Sequence, residues 1–226
     1  MSDSKAGSVI SSVDGLPMRP SGPWIARKHF FLDRYCGILS KGMKKQWNLV
    51  YIDLFAGPGR CLVELDPPHE SVGSPLIALG YNFDRYIFVE QNEEDFKALC
   101  TRCGHSPKNK NILFVQRDCN NVAEIINSHL STNDLCFAFI DPTGIDIHFD
   151  SIKKLTANGR KVDLLINIMF GMDIKRNFER YYRRDGSDLD LFLGGNVDWN
   201  EIKTPTDALN LYKKRIGDLG YKTVRF

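Results

Sequence analysis

Short apolar runs return at intervals along this chain, and four of them lead into an acid. They are Asn48-Leu-Val-Tyr-Ile-Asp53, Arg85-Tyr-Ile-Phe-Val-Glu90, Asn111-Ile-Leu-Phe-Val-Gln-Arg117 before Asp118, and Leu135-Cys-Phe-Ala-Phe-Ile-Asp141. A fifth run, Val162-Asp-Leu-Leu-Ile-Asn-Ile-Met169, has no such ending. Segments of helical spacing separate them: Gly73 to Leu79 with a serine cap and a following proline, Asn92 to Cys103, Asn121 to Leu130, and Phe149 to Ala157. Strands that are apolar throughout, rather than alternating, are buried on both faces. Their alternation with helices predicts an α/β fold: a mostly parallel, doubly wound, Rossmann-like sheet with helices on both faces.

The flanks are read with less periodicity. Residues 1–20 are polar and rich in Gly and Pro, which predicts a flexible arm. From Pro23 to Met43, Trp24, Phe31, Tyr35, Ile38 and Leu39 recur at helical spacing and predict an amphipathic helix acting as lid or flank. The rest, residues 21–226, is expected to be one domain, since 226 residues fill one core better than two. A charged and aromatic stretch at about 171–204 reads as an insertion. Ala208 to Leu219 resumes a helix capped by Gly220, and Tyr221 to Phe226 begins a strand. The chain is expected to stop inside an element, with its last strands truncated.

Composition limits the partners. Hydrophobic residues at 42% and charged residues at 26% describe a globular protein, and no run reaches the ~18 residues of a membrane span. A cytoplasmic location and no membrane partner are expected. Thirty basic and 28 acidic side chains leave a net charge of +2, so a polyanion must be met by a local patch. The six cysteines are scattered through strands and helices and read as thiols; Cys100-Thr-Arg-Cys103 has no second ligand pair, so no metal site is expected.

Ligands of an open parallel sheet bind beyond the carboxyl ends of its strands. Gly57 and Gly59 let the backbone turn sharply and approach a ligand closely. Glu90 ends the next strand, where an acid accepts hydrogen bonds from both hydroxyls of a ribose, and Asp118 ends the one after, suited to an adenine amine. Two acids at successive strand ends favour an adenosine compound without a pyrophosphate, so S-adenosylmethionine fits better than NAD. The missing third glycine and a Gly59-to-Glu90 gap longer than the ~20 residues of dinucleotide folds agree. Asp141 can accept from a substrate amine or hydroxyl while Pro142 leaves carbonyl oxygens available, which makes this pair the candidate catalytic centre. Asp53 is either a ligand-shaping or a loop-tethering acid, and Gln91 and Asn120 read as turn formers ahead of ligands.

In this order the motifs resemble those of class I S-adenosylmethionine-dependent methyltransferases, and more narrowly the three-Cys-motif partner protein family. The resemblance rests on Lys28-His29, Tyr51-Ile-Asp-Leu-Phe-Ala-Gly-Pro-Gly-Arg60, Gly73-Ser-Pro75, Val89-Glu90, Asp118-Cys-Asn120 and Phe139-Ile-Asp-Pro-Thr-Gly144. It implies strand order 3-2-1-4-5-7-6 and a cofactor set of Lys28, Asp53, Phe55, Ala56, Gly57, Gly59, Glu90, Gln91, Asp118 and Cys119. A more distant similarity is to nucleic-acid adenine amino-methyltransferases, from which this chain departs by having Thr143-Gly144 where they carry a proline and an aromatic.

Two functions follow as expectations. One is methyl transfer from S-adenosylmethionine to a nitrogen of DNA or RNA, with Lys175, Arg176, Arg180, Arg183 and Arg184 tracking phosphates and Phe178, Tyr181 and Tyr182 stacking on bases. The bland reading of that stretch is a solvated amphipathic helix. The other function is a non-catalytic adenosine-ligand module that acts through a partner protein encoded nearby, in a defence or mobile-element system.

Overall fold

A computed structural model describes residues 9–222; the first eight residues of the expected arm and the last four of the expected final strand lie outside the described residues. In chain order the elements are β1 (Val9–Ile10), β2 (Pro17–Ser21), α1 (Ile25–Gly42), β3 (Asn48–Asp53), β4 (Arg60–Val63), β5 (His69–Val72), α2 (Ser74–Leu79), β6 (Arg85–Val89), α3 (Glu93–Gly104), β7 (Ile112–Val115), α4 (Ala123–Ser128), β8 (Asp134–Ile140), α5 (Phe149–Thr156), β9 (Lys161–Ile166), α6 (Lys175–Tyr181), α7 (Asp188–Leu193) and α8 (Pro205–Asp218). They form two compact units that interleave in sequence. The first gathers the chain up to Cys119 with Leu130–Ile140 and Lys161–Leu165; the second takes Asn120–His129, Asp141–Arg160 and everything from Ile166 onward.

The first unit is built on a five-stranded sheet of order β7-β6-β3-β8-β9. β3 pairs parallel with β6 and β8, and β6 pairs parallel with β7. Counted along the chain, this is 3-2-1-4-5, matching the first five positions of the order that the resemblance implies. One face carries Leu49, Tyr51, Tyr86, Phe88, Phe137 and Phe139, packed with Leu32, Cys36 and Leu39 of α1, Ala78 of α2, and Leu99 and Cys103 of α3. The alternate residues Val50, Ile52, Ile87, Val89, Cys136 and Ala138 are buried too. That double burial is why the strands read as unbroken apolar runs. Leu32, Cys36 and Leu39 recur at the helical period, so α1 buries one stripe and leaves Trp24, Phe30, Phe31 and Ile38 exposed.

Helix starts follow local chemistry. The Asn92 side chain accepts from Asp95 N at 3.0 Å, and Glu93, Glu94 and Asp95 place negative charge in the first turn of α3. At α2 the cap is Gly73 rather than the expected Ser74. Gly73 N donates to the Gly59 carbonyl at 2.8 Å, and a Cβ at Gly73 would come within 3.0 Å of that carbonyl carbon. Close backbone approach therefore excludes a side chain there.

A second sheet, β1-β2-β4-β5, was not legible as such. β1 and β2 lie inside the stretch expected to be an arm, yet β2 runs parallel to β4 with Arg19 opposite Cys61. The tie is Arg102 of α3. Its Nε and Nη2 each donate to Asp14 at 2.7 Å, and the remaining donors reach the carbonyls of Pro17, Pro58 and Leu16 at 2.6, 2.6 and 3.1 Å. One buried guanidinium thus binds the hairpin and the glycine turn to α3. It also holds the Asp14 carboxyl at about 2, below the usual carboxylate value of 3.8.

The second unit holds α4 to α8 apart from β8 and β9. α8 starts three residues earlier than its apolar pattern predicts, because Thr204 and Asp207 form a reciprocal cap and Pro205 takes the first helical position. Its Tyr212 stacks on Phe192 of α7, ring centroids 4.2 Å apart. The stretch expected as an insertion is helical: a π-turn at Phe170–Ile174 leads into α6, and α7 follows. No helix of the described residues is long and apolar enough to cross a membrane.

Candidate functional site

The candidate site of the first unit lies where three strand tips meet. After β3 the chain turns through Leu54 to Gly59, and this turn is stitched to its neighbours: Leu54 N donates to the Phe139 carbonyl of β8 at 3.2 Å, and Ala56 N to the Val89 carbonyl of β6 at 2.9 Å. Gly57 and Gly59 have φ of +60° and +87°, the left-handed region that side chains disfavour. The sharp turn aims the Gly57 N–H at the end of β6, where it donates to Glu90 Oε2 at 2.8 Å. Glu90 N in turn donates to the Val115 carbonyl at 3.1 Å, which sets the β7 tip beside it. Asp118 follows three residues beyond Val115 and is partly exposed.

Glu90 is only 5% exposed and is held by three donors. Asn92 N reaches Oε1 at 2.8 Å; Gly57 N reaches Oε2, and so does Arg19 Nη2 at 3.1 Å. Arg19 also gives its Nε to Asp95 at 2.7 Å. Burial works against the Arg19 charge, but the two carboxylates outweigh it and raise the pKa, so the guanidinium stays charged. A buried acid with charge-assisted partners is the expected arrangement.

The other predicted residues divide by location. Asp53 is fully buried; its Oδ1 accepts from Phe55 N at 3.2 Å and its Oδ2 from Tyr51 Oη at 3.1 Å, so it tethers the loop. Ala56 and Cys119 are buried, Phe55 and Lys28 are partly exposed, and Gln91 is exposed. Burial raises the pKa of the Cys61 thiol on β4, and the Lys28 and Arg60 charges offset this only in part. Cys103 is buried, which pushes its thiol up to about 12. Among the described residues no group of three or more His, Cys, Asp and Glu is placed to hold a metal ion.

Asp141 and Pro142 belong to the second unit. Their loop is fixed from behind: Gly144 N donates to Asp146 Oδ2 and Ile145 N to Asp173 Oδ2, both at 3.1 Å. A Cβ at Gly144 would lie 2.9 Å from Asp173 Oδ2. Asp173 Oδ1 accepts from Asn177 at 2.8 Å and from Tyr181 Oη at 2.9 Å. Asn120 acts as a tie, accepting from His148 N at 2.8 Å and Ser151 Oγ at 2.9 Å.

On α6 and just after it, Lys175, Arg176, Arg180, Arg183 and Arg184 are exposed, but Phe178 and Tyr181 are buried. Tyr182 is partly buried and stacks on Phe178 at 5.4 Å, with the Arg183 guanidinium 5.0 Å from its ring. The cations are available to a polyanion; two of the three aromatics belong to the core.

Sequence reasoning missed Arg19, Asp95 and Arg102. Arg19 sits in a stretch without periodicity, 71 residues from Glu90. A capped helix with three leading acids signals Asp95 as a first-turn residue, but not its pairing.

No protein-family model matches the chain, and no curated protein matches it. Among solved structures it is similar to a Legionella pneumophila protein of the DUF519 family, at 17% identity and TM-score 0.41, over 57% of this chain and 59% of that one. It is also similar to yhhF of Escherichia coli, described as a candidate methyltransferase, at 16% identity and TM-score 0.44, over 66% of this chain and 75% of that one. A StiE O-MT segment aligns at 11% identity and TM-score 0.36, over 89% of this chain and 80% of that one. The chain spans 59% of the length of the Legionella protein it matches.

Proposed function

We propose that this chain is an S-adenosylmethionine-dependent methyltransferase of the three-Cys-motif partner protein kind, N-methylating a nucleic acid. The observation that carries the reading is the 2.8 Å bond from the Gly57 N–H to the Glu90 carboxylate, because it puts the bare glycine bend and the strand-end acid side by side. A bend without side chains admits a ligand close to the backbone, and the acid beside it suits ribose hydroxyls. The residues fit the ligand class in charge and hydrogen-bonding capacity. Glu90 accepts from the ribose, Asp118 from the adenine amine, the Gly57–Gly59 backbone lies along the ligand, and Lys28 meets its carboxylate.

S-adenosylmethionine supplies a methyl group on a positively charged sulfur. Asp141 accepts a hydrogen bond from the substrate amine, which orients its lone pair for attack, and the buried Pro142 stiffens that residue's backbone. The exposed cations of α6 and the residues after it engage the phosphates. Calorimetry with S-adenosylmethionine, its demethylated product and NAD tests the ligand; a preference for NAD ends the reading. Transfer of labelled methyl into DNA or RNA tests the reaction, with Asp141→Ala expected to abolish it.

The reading as a binding module that acts through a protein partner draws support from Thr143 and Gly144, which stand where the similar amino-methyltransferases carry a proline and a stacking aromatic. Saturable ligand binding without any methyl transfer is its signature.

A further inference from the structure

We propose that Arg19 is a displaceable plug in the ribose subsite: an incoming ribose replaces its Nη2 on Glu90 while Nε stays on Asp95. The inference rests on the reading of Glu90 as the ribose acceptor. It starts from a count of lone pairs. An ionised carboxylate offers about four acceptor positions. Asn92 N takes one on Oε1, and Gly57 N and Arg19 Nη2 take two on Oε2. One position remains, on Oε1, yet a ribose presents two hydroxyls. A diol can be bound in full only if a present donor leaves.

The three donors are not equally able to leave. Gly57 N is fixed in a left-handed bend whose preceding residue is bonded to β6. Asn92 N belongs to the cap of α3, whose own side chain holds Asp95 N. Arg19 alone reaches Glu90 through rotatable bonds. Its side chain is 38% exposed, and at 3.1 Å its contact is the longest of the three. The 2.7 Å bond from its Nε to Asp95 is shorter and serves as the pivot.

Position supports the same conclusion. A Cβ built on Gly57 would lie 4.0 Å from Cδ, Nε and Nη1 of Arg19, so the guanidinium lies across the bare side of the bend. That is the side the absent Cβ leaves open to a ligand. With no ligand bound, Arg19 neutralises a buried acid; with one bound, the hydroxyls take over. Arg19 belongs to β2, which is bonded to β4 immediately after the glycine turn, so occupancy of the subsite is felt by the N-terminal hairpin.

Titration calorimetry with S-adenosylhomocysteine on the wild type, R19M, R19K and E90Q decides the matter. Both Arg19 variants are expected to bind about 3- to 10-fold more tightly than wild type, because the competing charge-assisted bond is gone or cannot span both carboxylates. E90Q is expected to bind about 10-fold more weakly. If E90Q weakens binding but R19M and R19K bind no better than wild type, the plug is overturned and the ribose role of Glu90 stands. If E90Q binds as well as wild type, or if no protein binds, the ribose reading fails and the plug with it. Thermal melts identify folded variants. Should R19M fail to fold with two uncompensated acids, R19K, which keeps the charge beside Asp95, decides alone.

Discussion

Glu90 and Asp173, one in each unit, are both carboxylates that accept from the backbone of a neighbouring loop, and they differ in what else touches them. Asp173 receives Ile145 N, the Asn177 amide and the Tyr181 hydroxyl, all neutral donors on backbone or packed side chains. Glu90 receives two backbone N–H groups and a half-exposed guanidinium that a second acid also holds. The first arrangement is closed: every partner is fixed, and the acid serves the loop. The second has one partner able to move. A buried acid whose compensation is mobile can exchange it for a ligand, whereas a partly buried acid satisfied by fixed neutral groups, such as Asp173, cannot.

The contrast can be broken by substitution. The largest effect is expected at Arg102, the fixed guanidinium of the first unit: R102M strips Asp14 of its two 2.7 Å bonds, leaving it Arg60 at 3.6 Å, and takes one donor from each of the Leu16, Pro17 and Pro58 carbonyls, costing about 3–5 kcal/mol in urea denaturation. R19M, which removes the movable guanidinium, should cost clearly less. D173A comes next, at about 2–3 kcal/mol, because Ile145 N and the Tyr181 hydroxyl lose their acceptor; D173N should restore much of the loss.

Acid titration sharpens the account of the hairpin. The Asp14 carboxyl is depressed to about 2, chiefly by its hydrogen bonds from Arg102, so its contribution is fully present above the unfolded value of 3.8 and is lost as pH falls through about 2. On the order of 1 kcal/mol of stability should disappear across that window, allowing for solvent screening, and R102M should lack this segment of the profile. The smallest effect concerns α6. Reversing the charge at Arg180, Arg183 and Arg184 should change stability by less than about 0.5 kcal/mol while lowering DNA or RNA affinity and its salt dependence. Unchanged binding would make the cluster a solvated face.

How far the molecule can be read from its sequence differs by region for physical reasons. The parallel sheet is legible because burial on both faces leaves unbroken runs such as Leu135 to Ile140, and because strand ends in such a sheet point to one side. Glu90 and the Gly57 bend are legible with it. The second sheet is not. β2 carries Pro17 and Pro20, each lacking an N–H, and it pairs with β1 only at Pro17 and Met18 and with β4 only from Arg19 to Ser21. No local pattern marks a strand held by a distant arginine. In α6 the alternation of aromatic and basic residues fits stacking on bases and packing in a core equally well, and only the fold shows Phe178 and Tyr181 turned inward.

The central claim is that the Glu90 carboxylate at the glycine bend receives a ribose. Competitive calorimetry of adenosine against its 2′,3′-dideoxy analogue measures this directly. The account predicts that wild type prefers the hydroxylated ligand by about tenfold or more and that E90Q loses the preference. Equal affinity of the wild type for both ligands would contradict it.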